Sequence, residues 1–303
     1  MKTICIQIIA LLLPAFAFAQ TLSPQVQRQV ARIAEENYVA FESVGPAGEV
    51  TDQYRSFTTL KNKATTAELL LLLKHENAVV RAYAGWALAD RKYLHAETIL
   101  LRFLKSNEWV QAQDGCIGGS EDLASLFYRR VFHQVATRSK NRPLGAVINA
   151  MDSVILYEAD SSSTLLETAL EHSAGNSQHY NRIRMLALHY KTGASIVALA
   201  RYKKADDVNF LMTLNTKAFP AIAVFPHPEF WPFLQRYQST EKTFAYFNAL
   251  AGFRNEESVA LLTKMFDQPD SEKAATIASQ LFNELDHPRG SPLEQLYEAI
   301  TVN

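Results

Sequence analysis

The chain writes nearly the same phrase three times. Ala87-Leu88-Ala89 precedes Lys92 and the run Glu97-Thr98-Ile99-Leu100-Leu101. Ala198-Leu199-Ala200 precedes Lys203 and Asp207-Val208-Asn209-Phe210-Leu211, and Ala249-Leu250-Ala251 precedes Arg254 and Glu257-Ser258-Val259-Ala260-Leu261-Leu262. Each copy has the form of a helix ending, a short polar turn and a second helix starting. A two-helix unit cannot bury its apolar face alone, so its recurrence predicts a stacked array in which neighbouring units cover one another. The copies lie 111 and then 51 residues apart, which makes the array irregular.

Nearly every segment reads at helical period, and the alternation expected of strands is almost absent. The expected class is all-α, a single domain over residues 20–303. Ser23 and Pro24 open a helix expected to run to Phe41, and Gly45-Pro46-Ala47-Gly48 closes that segment. Further helices are expected over Asp52 to Leu60, Thr66 to Lys74, Ala78 to Ala89 and Ala96 to Leu104. Asp114-Gly115-Cys116-Ile117-Gly118-Gly119-Ser120 reads as a loop, and Ser161-Ser162-Ser163 as a break before a helix from Thr164 to His172. A closing pair is expected over Ser258 to Phe266 and Glu272 to Leu285. In the segment Ala78 to Ala89, two adjacent apolar stripes predict contact on two sides.

One stretch resembles a known family. Leu69 to Leu73 is similar to the leucine-rich first helix of a HEAT repeat, and Val80-Arg81, Ala84, Ala87 and Leu88 resemble the Val-Arg-x-x-Ala-x-x-Ala-Leu signature of its second. The resemblance is specific from Thr66 to Cys116 and degenerate from Leu123 to Asn215. His75-Glu76 stands where the family usually has an Asp-Pro turn. The resemblance implies an irregular right-handed α-solenoid of stacked antiparallel helix pairs, with a concave face that holds a protein or peptide.

The ends and the composition set bounds. Lys2, the apolar stretch Ile4 to Leu13, Pro14 and Ala17-Phe18-Ala19 have the form of a signal peptide cleaved after Ala19. The expected mature chain of 284 residues begins at Gln20 and is exported to a periplasm or beyond the cell. No stretch reaches the roughly 20 apolar residues that a membrane-spanning helix needs. Cys116 is the only cysteine outside the signal, so no disulfide is expected within the chain. With 30 basic and 31 acidic residues, no field of one sign invites nucleic acid.

Chemistry-bearing motifs are scarce: the chain has no Cys-x-x-Cys, Gly-x-Ser-x-Gly, His-Glu-x-x-His, phosphate loop or dinucleotide fingerprint. His172, His179 and His189 cluster in sequence beside Glu171 and Tyr180. Their convergence from separate helices would suit a metal-dependent enzyme, although zinc normally takes three or four ligands. His75-Glu76 reads as a solvated turn and Cys116 as a small buried hydrophobe. Between Phe219 and Phe253, ten aromatics fall in thirty-five residues. Most read as core, but Trp231, Tyr246 and Phe253 are candidate anchors for a protein partner, with Arg184, Arg201 and Arg236 as a polar rim.

These observations predict an exported, non-catalytic protein-binding scaffold or adaptor of the bacterial envelope that uses no cofactor or metal. Two alternatives stand beside it: an immunity protein neutralising an envelope-acting toxin, and a metal-dependent enzyme on a HEAT-like scaffold.

Overall fold

The computed structural model describes residues 21–136, 145–160 and 163–266. The expected signal peptide and the expected helix at 272–285 lie outside the described residues. The chain is mostly helical, and its contacts gather in two compact units. The first runs to Ala96 and takes in Ser106–Gln134; the second takes Glu97–Lys105 and everything described from Val135 onward.

The first unit opens with α1 (Pro24–Glu36), which buries Val26, Val30 and Ile33. It stops five residues short of the expected end because Asn37 turns left-handed at φ 53° and its N–H donates to the Ile33 carbonyl. Asn tolerates that conformation better than most residues. The chain then leaves as β1 (Val39–Val44), followed by α2 (Asp52–Lys63), α3 (Thr66–Leu72) and α4 (Ala78–Asp90). Thr65 and Glu68 form a reciprocal capping box at the start of α3. Helix α4 is buried along almost its whole circumference, from Val79 to Ala89 with Arg81 excepted, and packs on α1, α2, α3 and β1. Its low amphipathicity is the signature of a central helix.

After α5 (Ala96–Ser106) come β2 (Trp109–Gly115), β3 (Ile117–Asp122) and α6 (Leu123–Ala136). The all-α expectation is therefore corrected by a three-stranded sheet in the order β1-β2-β3. Strand β1 runs parallel to β2 with Val39 opposite Ala112, and β2 pairs antiparallel to β3 from Trp109 opposite Asp122 to Asp114 opposite Ile117. The glycine-rich run expected to be a loop is the hairpin: Gly115, at φ 57°, and Cys116 make its turn. Val110 and Ala112 face the core while Trp109 and Gln111 face out.

Buried polar groups fasten the sheet to the helices. Tyr83 Oη donates to the Ala40 carbonyl at 3.1 Å and accepts the Ala40 N–H at 2.8 Å. Burial pushes the Tyr83 phenol up beyond its usual range. Gln53 Nε2 donates to the carbonyls of Ile33 and Tyr38. Trp86 lies edge-on to Phe41, Phe57 and Tyr83 and donates to the Leu126 carbonyl at 3.1 Å. Arg130 lies over the Trp86 ring and grips Asp90 through two hydrogen bonds of 2.7 and 2.6 Å, with Lys61 on the same carboxylate.

The second unit continues with α7 (Ala146–Glu158), α8 (Thr164–Ser173), α9 (Tyr180–Tyr190), α10 (Gly193–Ala200), α11 (Val208–Met212), α12 (Phe219–Val224), α13 (Phe230–Gln235), α14 (Phe244–Ala251) and α15 (Glu256–Phe266). Helices α8, α10, α12 and α14 pack in series, with α7 against α8 and α9 against α10. The aromatic stretch forms the core of its later half: Phe219, Phe230, Phe233, Tyr246 and Phe247 are all buried there.

The three sequence phrases are three copies of one corner. Ala87, Leu88 and Ala89, then Ala198, Leu199 and Ala200, then Ala249, Leu250 and Ala251 are buried at helix ends. The basic residue that follows each is left-handed, Lys92 at φ 57°, Lys203 at 52° and Arg254 at 52°. In each copy its N–H donates to the carbonyl of the second alanine, at 2.9, 2.9 and 3.1 Å.

Candidate functional site

The strongest surface anomaly sits on α9. Asn176 caps the 3-10 turn Ser177–His179 that leads into it, and Lys191, left-handed at φ 51°, ends it by donating to the Ala187 carbonyl. Ile183, Leu186 and Ala187 bury the inner stripe. The opposite face of such a helix should be polar, yet Met185 is 48% and Leu188 39% exposed. Together with Tyr157 at the end of α7 and Tyr190, they make up four of the nine large apolar residues exposed among the described residues. Single exposed apolar side chains are ordinary; a contiguous group is the informative case.

Tyr157, Met185 and Leu188 are contiguous, while Tyr190 packs on His189 at the end of the helix. Arg182 stacks over the Tyr157 ring at 5.4 Å, and its Nη1 reaches Met185 Sδ at 3.9 Å. Its Nε donates to the Leu156 carbonyl at 2.6 Å, which fixes the guanidinium on the end of α7. Beside Met185, an open depression of about 470 Å³ is lined by Asn181, Arg184, Met185, Leu188 and His189. Arg184 is held in place from below: its Nε donates to Asp207 Oδ1 at 2.8 Å while Tyr180 Oη donates to Oδ2 at 3.0 Å. The hydrogen bond to buried Asp207 raises the Arg184 guanidinium, and burial with the same carboxylate raises the Tyr180 phenol. Lys204 sits 3.6 Å over the Tyr180 ring.

The residues expected to form the partner site are dispersed among other roles. Tyr246 is fully buried and donates to the Leu234 carbonyl at 2.9 Å, and burial pushes its phenol up to about 12. It is a core residue rather than an exposed anchor, because α12, α13 and α15 close over the helix face that carries it. Trp231 and Phe253 are half-buried against the same core and meet edge to face at 5.2 Å. Arg236 lies over the Phe233 ring, and Arg201 donates to the Glu171 carbonyl. Only Arg184 belongs to the depression on α9.

The histidines do not share one site. His172 Nδ1 lies 3.5 Å from buried Asp152 Oδ2, whereas His179 Nε2 lies 3.2 Å from Ser153 Oγ. His189 stands on the exposed face of α9 with its ring against Tyr190. Among the described residues no three His, Cys, Asp or Glu side chains gather as a metal would need. Burial lowers the pKa of His179. His75 accepts the Asn77 N–H at 3.0 Å on Nδ1 and Arg81 donates to the carbonyls of His75 and Glu76, so this turn is held in front of α4, whose cap is the Asn77 side chain accepting the Val80 N–H. Cys116, expected to be buried, is exposed at the hairpin turn.

Met185 and Leu188 carry no sequence sign of exposure, because apolar residues three apart on a helix ordinarily face a core. One signal was present: the segment from Tyr180 to Lys191 holds two arginines, a histidine and a lysine but no carboxylate. No family model, curated protein or solved structure matches the chain.

Proposed function

We propose that this is an exported, non-catalytic protein-binding protein built as an irregular HEAT-like α-solenoid, and that it binds its partner through the outer face of α9. The observation that carries this reading is the contiguous patch of Tyr157, Met185 and Leu188 around Arg182 on the outside of a packed helix. Tyr, Met and Arg are the residue types enriched at interface centres. The serial packing of α8, α10, α12 and α14 and the three equivalent corners support the solenoid reading, since stacked helix pairs turn at such corners. The terminal sequence Met1 to Ala19 supports export.

The test is retention of a partner from envelope extracts by the immobilised chain and by its Met185→Asp/Leu188→Asp variant. Both side chains are exposed, so the variant should fold and melt like the natural chain while losing the partner. Equal retention by both chains removes the α9 face from the account.

A further inference from the structure

The charge carried by α9 itself is one-sided. No residue from Tyr180 to Lys191 is acidic, and α10, packed on its inner side, carries no charge at all. Among the described residues three carboxylates come near from other segments: Asp207 and Glu158, which are engaged, and the exposed Asp206, which acts on Tyr180 at the start of the helix, away from Met185 and Leu188. Asp207 is buried with one oxygen on Arg184 and the other on Tyr180. Glu158, at the end of α7, lies 3.9 Å from Lys105. Among the described residues Arg182 meets two main-chain carbonyls, a thioether and a ring, but no carboxylate. His189 and Lys191 add donors at the far end of the same helix, and Lys204 lies over Tyr180.

Resting on the protein-binding reading above, we propose that the outer face of α9 takes an acidic amphipathic segment of another protein. Its apolar side chains seat on Tyr157, Met185 and Leu188, and its carboxylates meet Arg182 at one end and His189 with Lys191 at the other. A cationic rim selects a partner by opposite charge and raises the rate of encounter, while the desolvated apolar centre supplies most of the affinity. A carboxylate on Arg182 would extend a guanidinium already oriented by Leu156 and Tyr157, so little side-chain entropy is left to lose. The basic side chains would repel a basic segment.

The experiment selects random displayed peptides, long enough to form an amphipathic helix, on the full chain and on the Met185→Asp/Leu188→Asp variant. The peptides that require Met185 and Leu188 should carry more Asp and Glu than Lys and Arg, with apolar residues at helical spacing. A synthetic representative should bind about tenfold more weakly to His189→Glu/Lys191→Glu, and more weakly as salt rises. If peptides require Met185 and Leu188 but are neutral or basic, the acidic partner is overturned and the binding face stands. If no peptide requires those two residues, both readings fall. Co-sedimentation with phosphatidylglycerol vesicles, abolished in the variant and found without acidic peptides, assigns the face to lipid and also overturns the proposal.

Discussion

Gly252 ends α14 at φ −57°, a value at which alanine is at home. In an open helix the change Gly252→Ala would therefore stabilise by about 0.5–1 kcal/mol. Here the added Cβ would stand 2.8 Å from the Ala223 carbonyl oxygen and 3.1 Å from Ala223 Cα, both on α12. Because the obstacle is main chain, no rotamer change relieves it; α12 and α14 must move apart along their shared face. Overpacking of this kind costs about 1–3 kcal/mol. Set against the helical gain, the net destabilisation lies between about 0 and 2.5 kcal/mol and centres near 1 kcal/mol, or a melting temperature lower by roughly 2–4 °C for a chain of this size. Circular dichroism follows the unfolding. Gly193→Ala is the control, since a Cβ there meets nothing within 4 Å. An unchanged or raised melting temperature in Gly252→Ala, with Gly193→Ala behaving alike, would refute the close approach of α12 and α14.

Tyr83→Phe should cost about 1–3 kcal/mol in urea unfolding, because it strands the buried Ala40 N–H as well as its carbonyl; a loss below about 0.5 kcal/mol would remove Tyr83 as the anchor of β1. Burial alone would raise the Glu68 carboxyl, but the N–H groups of Ser23 and Thr65 and the Thr65 hydroxyl outweigh it and hold it at about 2 against an ordinary 4.5. Its stabilisation is therefore complete above pH 4.5 and lost as pH falls toward 2. Glu68→Gln should flatten the pH dependence of stability across that interval, which acid titration of the unfolding midpoint measures. At the left-handed Lys203 corner, Lys203→Gly should be neutral or stabilising and Lys203→Val destabilising by about 1–2 kcal/mol; thermal melts that rank the two in the other order contradict the corner geometry.

The corners were legible because they are local: a run of small and apolar residues ending a helix and a polar turn can be seen within a dozen positions. The conformation at Lys92, Lys203 and Arg254 was not, since the left-handed region usually announces itself by glycine or asparagine. The sheet escaped notice because β1 and β2 are joined across some seventy residues, with Val39 opposite Ala112, while alternation in β2 is short and β3 carries two glycines. Register of that kind is a tertiary property. Tyr246 shows the opposite error. Its residue type made it a candidate anchor, but only the packing of α12, α13 and α15 on α14 reveals that its face is covered. Conversely, nothing in the spacing of Met185 and Leu188 distinguishes them from core, and their exposure follows from α10 and α7 leaving that face of α9 uncovered.

The central claim, that the outer face of α9 is where this chain meets its partner, is tested most directly by a photo-reactive amino acid placed at Leu188 in the cell of origin. Leu94, 80% exposed and in the first unit, is the reference position. The account predicts one discrete adduct from Leu188, lost when Met185→Asp is added and not formed from Leu94. Adducts of equal pattern from both positions, or an adduct at Leu188 that survives Met185→Asp, would contradict it.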